Sequence, residues 1–319
     1  MTELNVLVPT CRRETDRALL PETLKRLKEA MPNGAKLYVL DTSTQESESD
    51  NIGDIRNLER INCPGDSKPT AINKALEVMA PSKFVAIIDD DILVPKHYFE
   101  VALSFLNSNS DAMGVGGIYL DTALERFIAQ RKVNFIKIFS SLIGLTATST
   151  YNKIKKSGFI ANLTLTSLNH PVSGNWLFGC NAVYRYQTLL TDAPFPTGMK
   201  GWSYGDDIWV GAQLMQRGCS NSLFVHPQLS VIHLGDKTSS SNKTDSLYTI
   251  ILHSYIISRK LRSGKSASPS YYFVSIILIL YYKIFLGYSG CSRSALLLIR
   301  LLLIRGQAPG FKSALSINQ

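Results

Sequence analysis

Three consecutive aspartates directly after an apolar strand limit the possible folds of this chain more than any other feature of its sequence. The run Phe84–Ile88 contains no polar residue, as in a strand buried on both faces of a sheet, and Asp89, Asp90 and Asp91 follow at once. Adjacent carboxylates repel one another, and a divalent cation is the usual compensation. The sequence therefore predicts a buried strand that ends at a cation site. The alternative is a solvated acidic turn that caps the next helix.

Strand and helix patterns alternate before this strand. Leu4–Pro9 and Lys36–Leu40 are short apolar runs typical of buried strands, while helical periodicity covers residues 16–31 and Lys68–Met79. This alternation predicts an α/β fold with a parallel sheet covered by helices on both faces. In such sheets ligands bind beyond the carboxyl ends of the strands. The residues expected at that edge are Thr10, Asp41 and Asp89–Asp91.

A second acidic site is predicted where Gly205, Asp206 and Asp207 open a helix after an aromatic loop that contains Trp202. A carboxylate placed there can act as a general base beside a polar acceptor that rests on aromatic faces. The alternative is a structural role, because aspartate is favoured at helix N-termini. His233 lies in an apolar run, where a histidine packed in the core is the commoner case. It becomes a candidate metal ligand only beside the three aspartates.

The charge of the chain is concentrated in its last quarter. The chain has 34 basic and 25 acidic residues and a net charge of +9, yet nine basic residues and no acidic residue follow Asp245. Residues 1–245 therefore carry no net charge, which excludes a nucleic-acid-binding protein with a basic surface spread over the whole fold. The 5 cysteines include no Cys-x-x-Cys pair, which favours a reducing, cytoplasmic compartment over a disulfide framework.

Two apolar segments lie in this basic tail. Tyr271–Ser289 approaches the length of a bilayer span but contains Lys283, and Ser294–Ile304 is too short to span. Basic residues flank both segments. We therefore expect residues 259–312 to form interfacial or shallowly re-entrant helices on an anionic membrane surface, at the inner face of the cell membrane. The alternative is an ordinary helix buried against the rest of the protein. The same tail could also join copies of the chain.

Taken in order along the chain, these motifs resemble those of the family 2 glycosyltransferases, which are inverting enzymes with the GT-A fold. The segments that carry the resemblance are Val6–Arg12 (first strand), Asp41–Ser43 (second-strand motif), Lys68–Leu76 (the stretch before the metal strand), Asp89–Asp91 (the DxD motif), Trp176–Arg185 (acceptor-side strand), Asp206–Asp207 (the Glu-Asp motif, with Asp in place of the usual Glu) and His233.

The resemblance implies a role for each matching residue. Asp207 would be the catalytic base, and Mn²⁺ or Mg²⁺ would be held by Asp91, Asp89 and His233. The residues that would bind the nucleotide-sugar are Pro9, Thr10, Arg12, Asp41, Lys68, Asn73, Asp89 and Asp90. Those on the acceptor side would be Trp176, Gly179, Cys180, Trp202 and Asp206.

The expected organisation is a GT-A catalytic domain over residues 1–245 and a helical tail over residues 246–319. The nucleotide-sugar half would cover residues 1–118 and the acceptor half residues 119–245. The expected acceptor is a hydroxyl of a lipid-linked or growing glycan, and the lipid follows from the tail.

Two other functions fit parts of the pattern. A sugar nucleotidyltransferase would need a glycine- and arginine-rich phosphate loop near the N-terminus, and Thr10–Glu14 has arginines but no glycine. A non-catalytic glycan-binding or scaffold protein could keep the same fold. The intact Asp89, Asp91 and Asp207 argue against this last alternative.

Overall fold

A computed structural model describes residues 2–11, 14–44, 58–120, 152–161, 168–190, 194–196, 205–234, 243–264, 266–286 and 291–303. The elements of the first 120 residues are β1 (Thr2–Thr10), α1 (Glu14–Ala30), β2 (Lys36–Asp41), β3 (Leu58–Asn62), α2 (Lys68–Val78), β4 (Ser82–Ile88), β5 (Ile92–Leu93), α3 (Tyr98–Ser108), β6 (Gly114–Gly116) and β7 (Tyr119–Leu120). In the first 90 residues β1, α1, β2, α2 and β4 follow one another as the sequence predicts, with β3 as an additional strand that it did not predict.

Short strands and then longer helices make up the remainder. These elements are β8 (Lys153–Ile154), β9 (Ile160–Ala161), β10 (Val172–Gly174), β11 (Asn181–Arg185), α4 (Tyr186–Leu189), α5 (Asp206–Gln216), β12 (Leu223–Val225), a 3-10 turn (Pro227–Leu229), β13 (Val231–His233), α6 (Lys243–Leu261), α7 (Pro269–Leu286) and α8 (Cys291–Leu303).

The central sheet is mostly parallel, which confirms the predicted α/β class. Its strand order is β10-β12-β6-β11-β4-β1-β2-β3. Strands β1 to β4 pair in parallel, while β11 runs antiparallel between β4 and β6. The register sets Thr10 beside Asp41 and Ile88 beside Asn181, so the ends of β1, β2 and β4 meet at one edge of the sheet.

Side chains alternate between the two faces of the sheet, and helices cover both faces. On β1, Leu4 and Val6 point into the core shared with α1 and α3, whereas Leu7 joins the core shared with α2 and α5. Each of these three side chains is fully buried. Because both faces are covered, the strands are mostly apolar, and charged groups gather where the strands begin or end. Asn5 inside β1 is buried, and its amide donates to Ala80 O at 2.7 Å.

The segment around β11 and the strand β13 have bounds or partners that the sequence did not indicate. In the segment Trp176–Arg185 only Asn181–Arg185 is strand, because Asn181 N donates to Phe178 O at 3.1 Å and closes a turn before it. The strand β13 does not pair with the neighbouring β12. It joins a small separate sheet between β5 and β7, where His233 lies opposite Ile92.

The three last helices pack on one another, and α6 also packs on the rest of the protein. Helix α8 contacts α6 and α7, and α6 packs along α5. The α6 residue Ser258 donates its hydroxyl to Lys156 O at 2.8 Å and accepts from Ser268 N at 3.0 Å. Within the described residues, each helix lacks the length or the apolar character needed to cross a membrane.

Candidate active site

Lys68 joins the aspartate run to the turn before β11. It is the first residue of α2, at the carboxyl edge of the sheet, and its ammonium donates to Asp89 Oδ1 at 2.6 Å and to Gly179 O at 3.0 Å. Burial disfavours the charge on Lys68, but the carboxylates of Asp89 and Asp206 outweigh this and raise the pKa of Lys68 above its usual range. The lysine is therefore a fixed positive charge between the two acidic sites.

Asp207 lies in the first turn of α5 and is held by two backbone donors. Ile208 N donates to its Oδ1 at 2.8 Å, and Gly179 N donates to its Oδ2 at 3.2 Å. Asp207 N in turn donates to Asp206 Oδ1 at 2.8 Å. Gly205, which precedes the pair, has φ +96°, a left-handed conformation that glycine adopts without strain. The turn thus fixes the direction of both carboxylates.

The pair of carboxylates titrates at higher pH than isolated aspartates. Burial raises the pKa of Asp207 to about 7, and the neighbouring Asp206 carboxylate adds to the effect. Burial also raises the pKa of Asp206, and the Lys68 ammonium opposes that rise. A carboxylate whose pKa lies near neutrality is well matched to accepting a proton and releasing it again.

Gly179 is close to both carboxylates of this pair. A Cβ on this residue would lie 3.2 Å from Asp207 Cβ and 3.5 Å from Asp206 Oδ1. Its carbonyl accepts from Lys68 and its amide donates to Asp207, so one peptide segment connects the ends of α2, β4 and α5. A small pocket forms at this junction, lined by Lys68, Ile72, Ile87, Gly179, Ala182, Tyr184, Phe195, Asp206 and Asp207.

Asp91 and His233 meet on the other side of the aspartate run. The pairing of β5 with β13 brings His233 Nε2 to 3.6 Å from Asp91 Oδ2, and Leu234 N donates to Asp91 O at 2.8 Å. Among the described residues no group of three or more His, Cys, Asp or Glu side chains could hold a metal ion alone. One carboxylate and one imidazole nonetheless fit Mn²⁺ or Mg²⁺ bound chiefly by phosphate and water.

Asp41 lies at the end of β2 in a set of hydrogen bonds. Its carboxylate accepts from Ser43 N at 3.0 Å and from Ser43 Oγ at 2.7 Å, and it pairs with Arg60 on β3. Thr10 O at the end of β1 accepts from Thr42 N at 2.9 Å. Arg60 was not predicted as a site residue, because the polar segment that contains it does not show a strand pattern.

The remaining residues predicted for the nucleotide-sugar side have different surroundings. The Asn73 amide exchanges hydrogen bonds with the Phe195 backbone, at 2.8 Å to its oxygen and 3.1 Å from its nitrogen, and is 8% exposed. It therefore anchors the segment 194–196 that lines the pocket. Pro9 is buried in β1, and Asp90 O accepts from Thr23 Oγ1 at 2.9 Å. Arg12 lies outside the described residues.

Of the residues predicted on the acceptor side, Gly179 and Asp206 line the pocket, while two others have a structural setting. The Trp176 indole is 3% exposed and packs with Ile208, so its burial does not support an acceptor contact for this side chain. Cys180 O accepts from Asp89 N at 3.0 Å, and burial raises the pKa of the Cys180 thiol. Trp202 lies outside the described residues.

Comparison with solved structures shows the fold. A mannosyltransferase, PcManGT from Pyrobaculum calidifontis in complex with GDP-Man and Mn²⁺, has 15% sequence identity and a TM-score of 0.51, over 99% of this chain and 78% of that one. The structure of S. aureus TarS 1-349 has 14% identity and a TM-score of 0.48, over 82% of this chain and 71% of that one. No curated protein sequence gives a significant match.

The family assignment comes from the sequence profile of Glycosyl transferase family 2, which matches residues 5–185. That range is more than half of the chain and includes β1, β2, β4 and the aspartate run. The sheet with its flanking helices agrees with the GT-A fold that the motifs implied. The chain therefore belongs to glycosyl transferase family 2 and is a glycosyltransferase.

Proposed function

We propose that this glycosyltransferase moves a sugar from a nucleotide-sugar to an acceptor hydroxyl with inversion at the anomeric carbon, and that it requires a divalent metal. The observation that carries the proposal is the junction at Gly179. There, the Gly179 amide donates to Asp207, a base candidate whose pKa burial raises to about 7, and the Gly179 carbonyl accepts from the Lys68 ammonium, which is paired with Asp89. A proton acceptor for the attacking hydroxyl and a positive charge for the departing diphosphate are thereby present at the same pocket.

On the donor side, we assign the diphosphate to the end of β4. Asp91 and His233 would hold Mn²⁺ or Mg²⁺, which supplies charge stabilisation for the departing diphosphate when it is bound. Lys68 provides a permanent positive charge at the same edge, and Asp89 keeps its ammonium in place. A bound GDP-Man and Mn²⁺ in the similar mannosyltransferase support this assignment of the donor class.

On the acceptor side, Asp207 acts as the general base. As the acceptor oxygen forms its bond to the anomeric carbon, the bond from that carbon to the diphosphate oxygen breaks. The hydroxyl proton passes to Asp207, and the electron pair of the broken bond leaves with the nucleoside diphosphate. Gly179 N and Ile208 N keep the carboxylate aimed while it accepts the proton. Attack from the face opposite the leaving group inverts the anomeric configuration.

We further propose a hydroxyl of a lipid-linked or growing glycan as the acceptor. Helix α5, which carries Asp207, packs against α6 of the basic tail, so the base and the tail belong to the same side of the body. An acceptor whose lipid rests in a membrane would reach the base from that side if the tail lies on the membrane.

The proposal can be tested although the acceptor is unknown, because water can slowly take the place of the acceptor hydroxyl and hydrolyse the nucleotide-sugar. The protein is incubated with GDP-mannose, UDP-glucose or UDP-N-acetylglucosamine, with Mn²⁺ or with a chelator, and the first sugar anomer released is followed by proton NMR. We expect release from one donor, dependent on Mn²⁺, with the anomer opposite to that of the donor. Release of the retained anomer, or undiminished release in chelator, would contradict the proposal.

A further inference from the structure

Two helices of the tail expose rows of large apolar side chains. On α7 the exposed residues are Phe273, Ile276, Leu280 and Ile284, with exposed fractions of 62%, 47%, 49% and 67%. At the angular step of an α-helix these positions fall within an arc of about 80°. The opposite side of α7, with Tyr271 and Ser275 fully buried, packs in the core formed with α6 and α8. The exposed row is therefore a separate apolar face.

Helix α8 carries a matching row. Leu296, Ile299 and Leu303 are 49%, 53% and 80% exposed, while Leu297 and Leu301 on the other side are buried against α6 and α7. We call the exposed rows of α7 and α8 together the apolar face. Exposed apolar residues scattered singly are normal on proteins, but rows on two packed helices are typical of a surface that contacts another apolar phase.

Basic side chains border the apolar face. Lys283 on α7 and Arg293 and Arg300 on α8 are exposed, and the Arg293 guanidinium lies 4.9 Å from the centre of the Tyr248 ring. No acidic residue follows Asp245 in the sequence, so α7 and α8 themselves contribute cations and apolar groups and no acidic side chain. That combination matches a bilayer surface, where anionic headgroups lie next to acyl chains.

We propose that the apolar face of α7 and α8 is a docking surface for membranes rich in anionic lipids, with both helices lying in the plane of the interface. A second copy of the chain is a poorer occupant. Pairing this face with itself would bring Lys283, Arg293 and Arg300 of both copies together, and like charges at a shared interface oppose association.

Docking by this face would also orient the active site. Helix α6, which contacts both α7 and α8, also packs along α5, the helix that carries the proposed base Asp207. Ile257 Cδ1 and His253 Cβ lie 3.5 Å and 3.8 Å from the position of a Cβ on Gly205, two residues before Asp207. The helices that would meet the membrane are thus connected to Asp207 through helix α6.

The test is co-sedimentation of the full chain with vesicles of phosphatidylcholine alone or with phosphatidylglycerol added. These vesicles contain no sugar donor and no glycan, so the result does not depend on the proposed reaction. We expect binding to the anionic vesicles that weakens by about tenfold or more between about 0.1 M and about 1 M salt. Equal binding to both vesicle types, or to neither, would overturn the proposal.

Two pairs of matched variants separate the apolar and the charged contributions. Leu280→Ser with Leu296→Ser should lower the vesicle partition coefficient by about tenfold or more, whereas Val78→Ser with Leu190→Ser, which changes residues of similar exposure on the body, should not. Circular dichroism checks that the variants are folded. Sedimentation velocity checks for a dimer, and a dimer that the Leu280 and Leu296 changes dissociate would assign the face to a second copy instead.

The charge variants follow the same design. Changing Lys283, Arg293 and Arg300 to glutamine should weaken binding to anionic vesicles by about tenfold or more. The control changes the exposed Lys25, Lys28 and Lys96 of the body to glutamine, which lowers the net charge by the same amount. If both triple variants lost the same affinity, net charge alone would explain the binding and the apolar face would not be the docking surface.

Discussion

At the scale of single residues, the site depends on a glycine that offers only backbone groups. Gly179 accepts from Lys68 through its carbonyl and donates to Asp207 through its amide. The pattern of the sequence placed Gly179 on the acceptor side and Lys68 on the donor side. Neither spacing nor periodicity indicates that Gly179 would contact both Lys68 and Asp207, because these contacts depend on how β4 and β11 pair.

Removing the base is the most direct test at this scale. Asp207→Asn keeps the size of the side chain and loses the proton acceptor, so transfer should fall by about 10²–10⁴-fold. Nucleotide-sugar binding, followed by thermal shift with Mn²⁺, should be unchanged. Asp111→Asn, at an exposed position after α3, is the control and should keep full activity. Transfer near the wild-type rate in Asp207→Asn would show that another group is the base.

The pH dependence follows from the same residue. The base works only when it is ionised, and burial raises the pKa of Asp207 to about 7. We expect kcat/KM to rise about tenfold per pH unit below this value and to level off above it. In Asp206→Asn the neighbouring charge is absent, which lowers the pKa of Asp207, so the rising limb should move to lower pH. A limb that does not move would show that Asp206 does not set the pKa of the base.

At the scale of elements, the turn before β11 packs closely against the first turn of α5, which leaves little room for a side chain at position 179. Gly179→Ala would place a Cβ 3.2 Å from Asp207 Cβ, which forces the base to shift by a few tenths of an ångström. We expect activity to fall by about 10–100-fold, while the free energy of unfolding changes by less than about 1 kcal/mol.

A second glycine serves as a control, because its replacement should lower stability and leave activity unchanged. Gly218 follows α5 with φ +79° and has open space around it. Gly218→Ala should therefore lower the free energy of unfolding by about 1–2 kcal/mol through backbone strain and leave activity unchanged. Activity assays and denaturant titrations on both variants check the contrast. Equal loss of activity in the two variants would contradict the role given to Gly179.

The elements that the sequence predicted best are those buried on both faces. β1, β2 and β4 are mostly apolar because helices cover both sides of the sheet, and the acidic ends of β2 and β4 stand out against them. The edge strand β3 was missed, since Glu59 and Arg60 face solvent and interrupt any apolar pattern. Most of helix α6 lies in the segment 246–319 that was predicted to be helical, but its bounds were not predicted, because polar residues interrupt the apolar pattern of a helix that is buried on several sides.

Within the site, residue types could be predicted but contacts could not. The motifs pointed to Asp89, Asp91 and Asp207, which the fold brings to one end of the sheet. The pairing of Asn73 with Phe195 and the burial of Trp176 depend on long-range packing, and a single sequence does not reveal such contacts. A family motif thus predicts which residues lie near the site, whereas the structure shows which of them line the pocket.

At the scale of the whole molecule, the tail is joined to the catalytic body rather than appended to it. Ile257 on α6 is 2% exposed and packs with Trp176, Ile208 and Ala212. Ile257→Ala should lower the free energy of unfolding by about 2–5 kcal/mol in one cooperative transition, because the cavity opens between the two parts. Ile276→Ala, on the exposed row of α7, is the control and should change it by about 0.5 kcal/mol or less.

Denaturant titration followed by tryptophan fluorescence measures this effect, since Trp176 and Trp209 pack against the same helix. If the body and the tail unfolded in two separate transitions, and Ile257→Ala affected only one of them, the predicted division at residue 245 would be a true domain boundary. A single transition would mean that the boundary marks a change in charge and not a division of the fold.

The position of that charge has a physical consequence for how the molecule moves. Residues 1–245 carry no net charge, and the whole +9 belongs to the segment that follows. Six of its nine basic residues lie on or next to α6, α7 and α8 (Arg259, Lys260, Arg262, Lys283, Arg293 and Arg300), so the charge is distributed as an electric dipole. A dipole in the field of a negatively charged surface experiences a torque, which acts over about one screening length, roughly 8 Å in physiological salt. The torque would orient the molecule before it contacts the membrane, so that α7 and α8 face the surface on arrival. Few further rotations would then be needed before it binds.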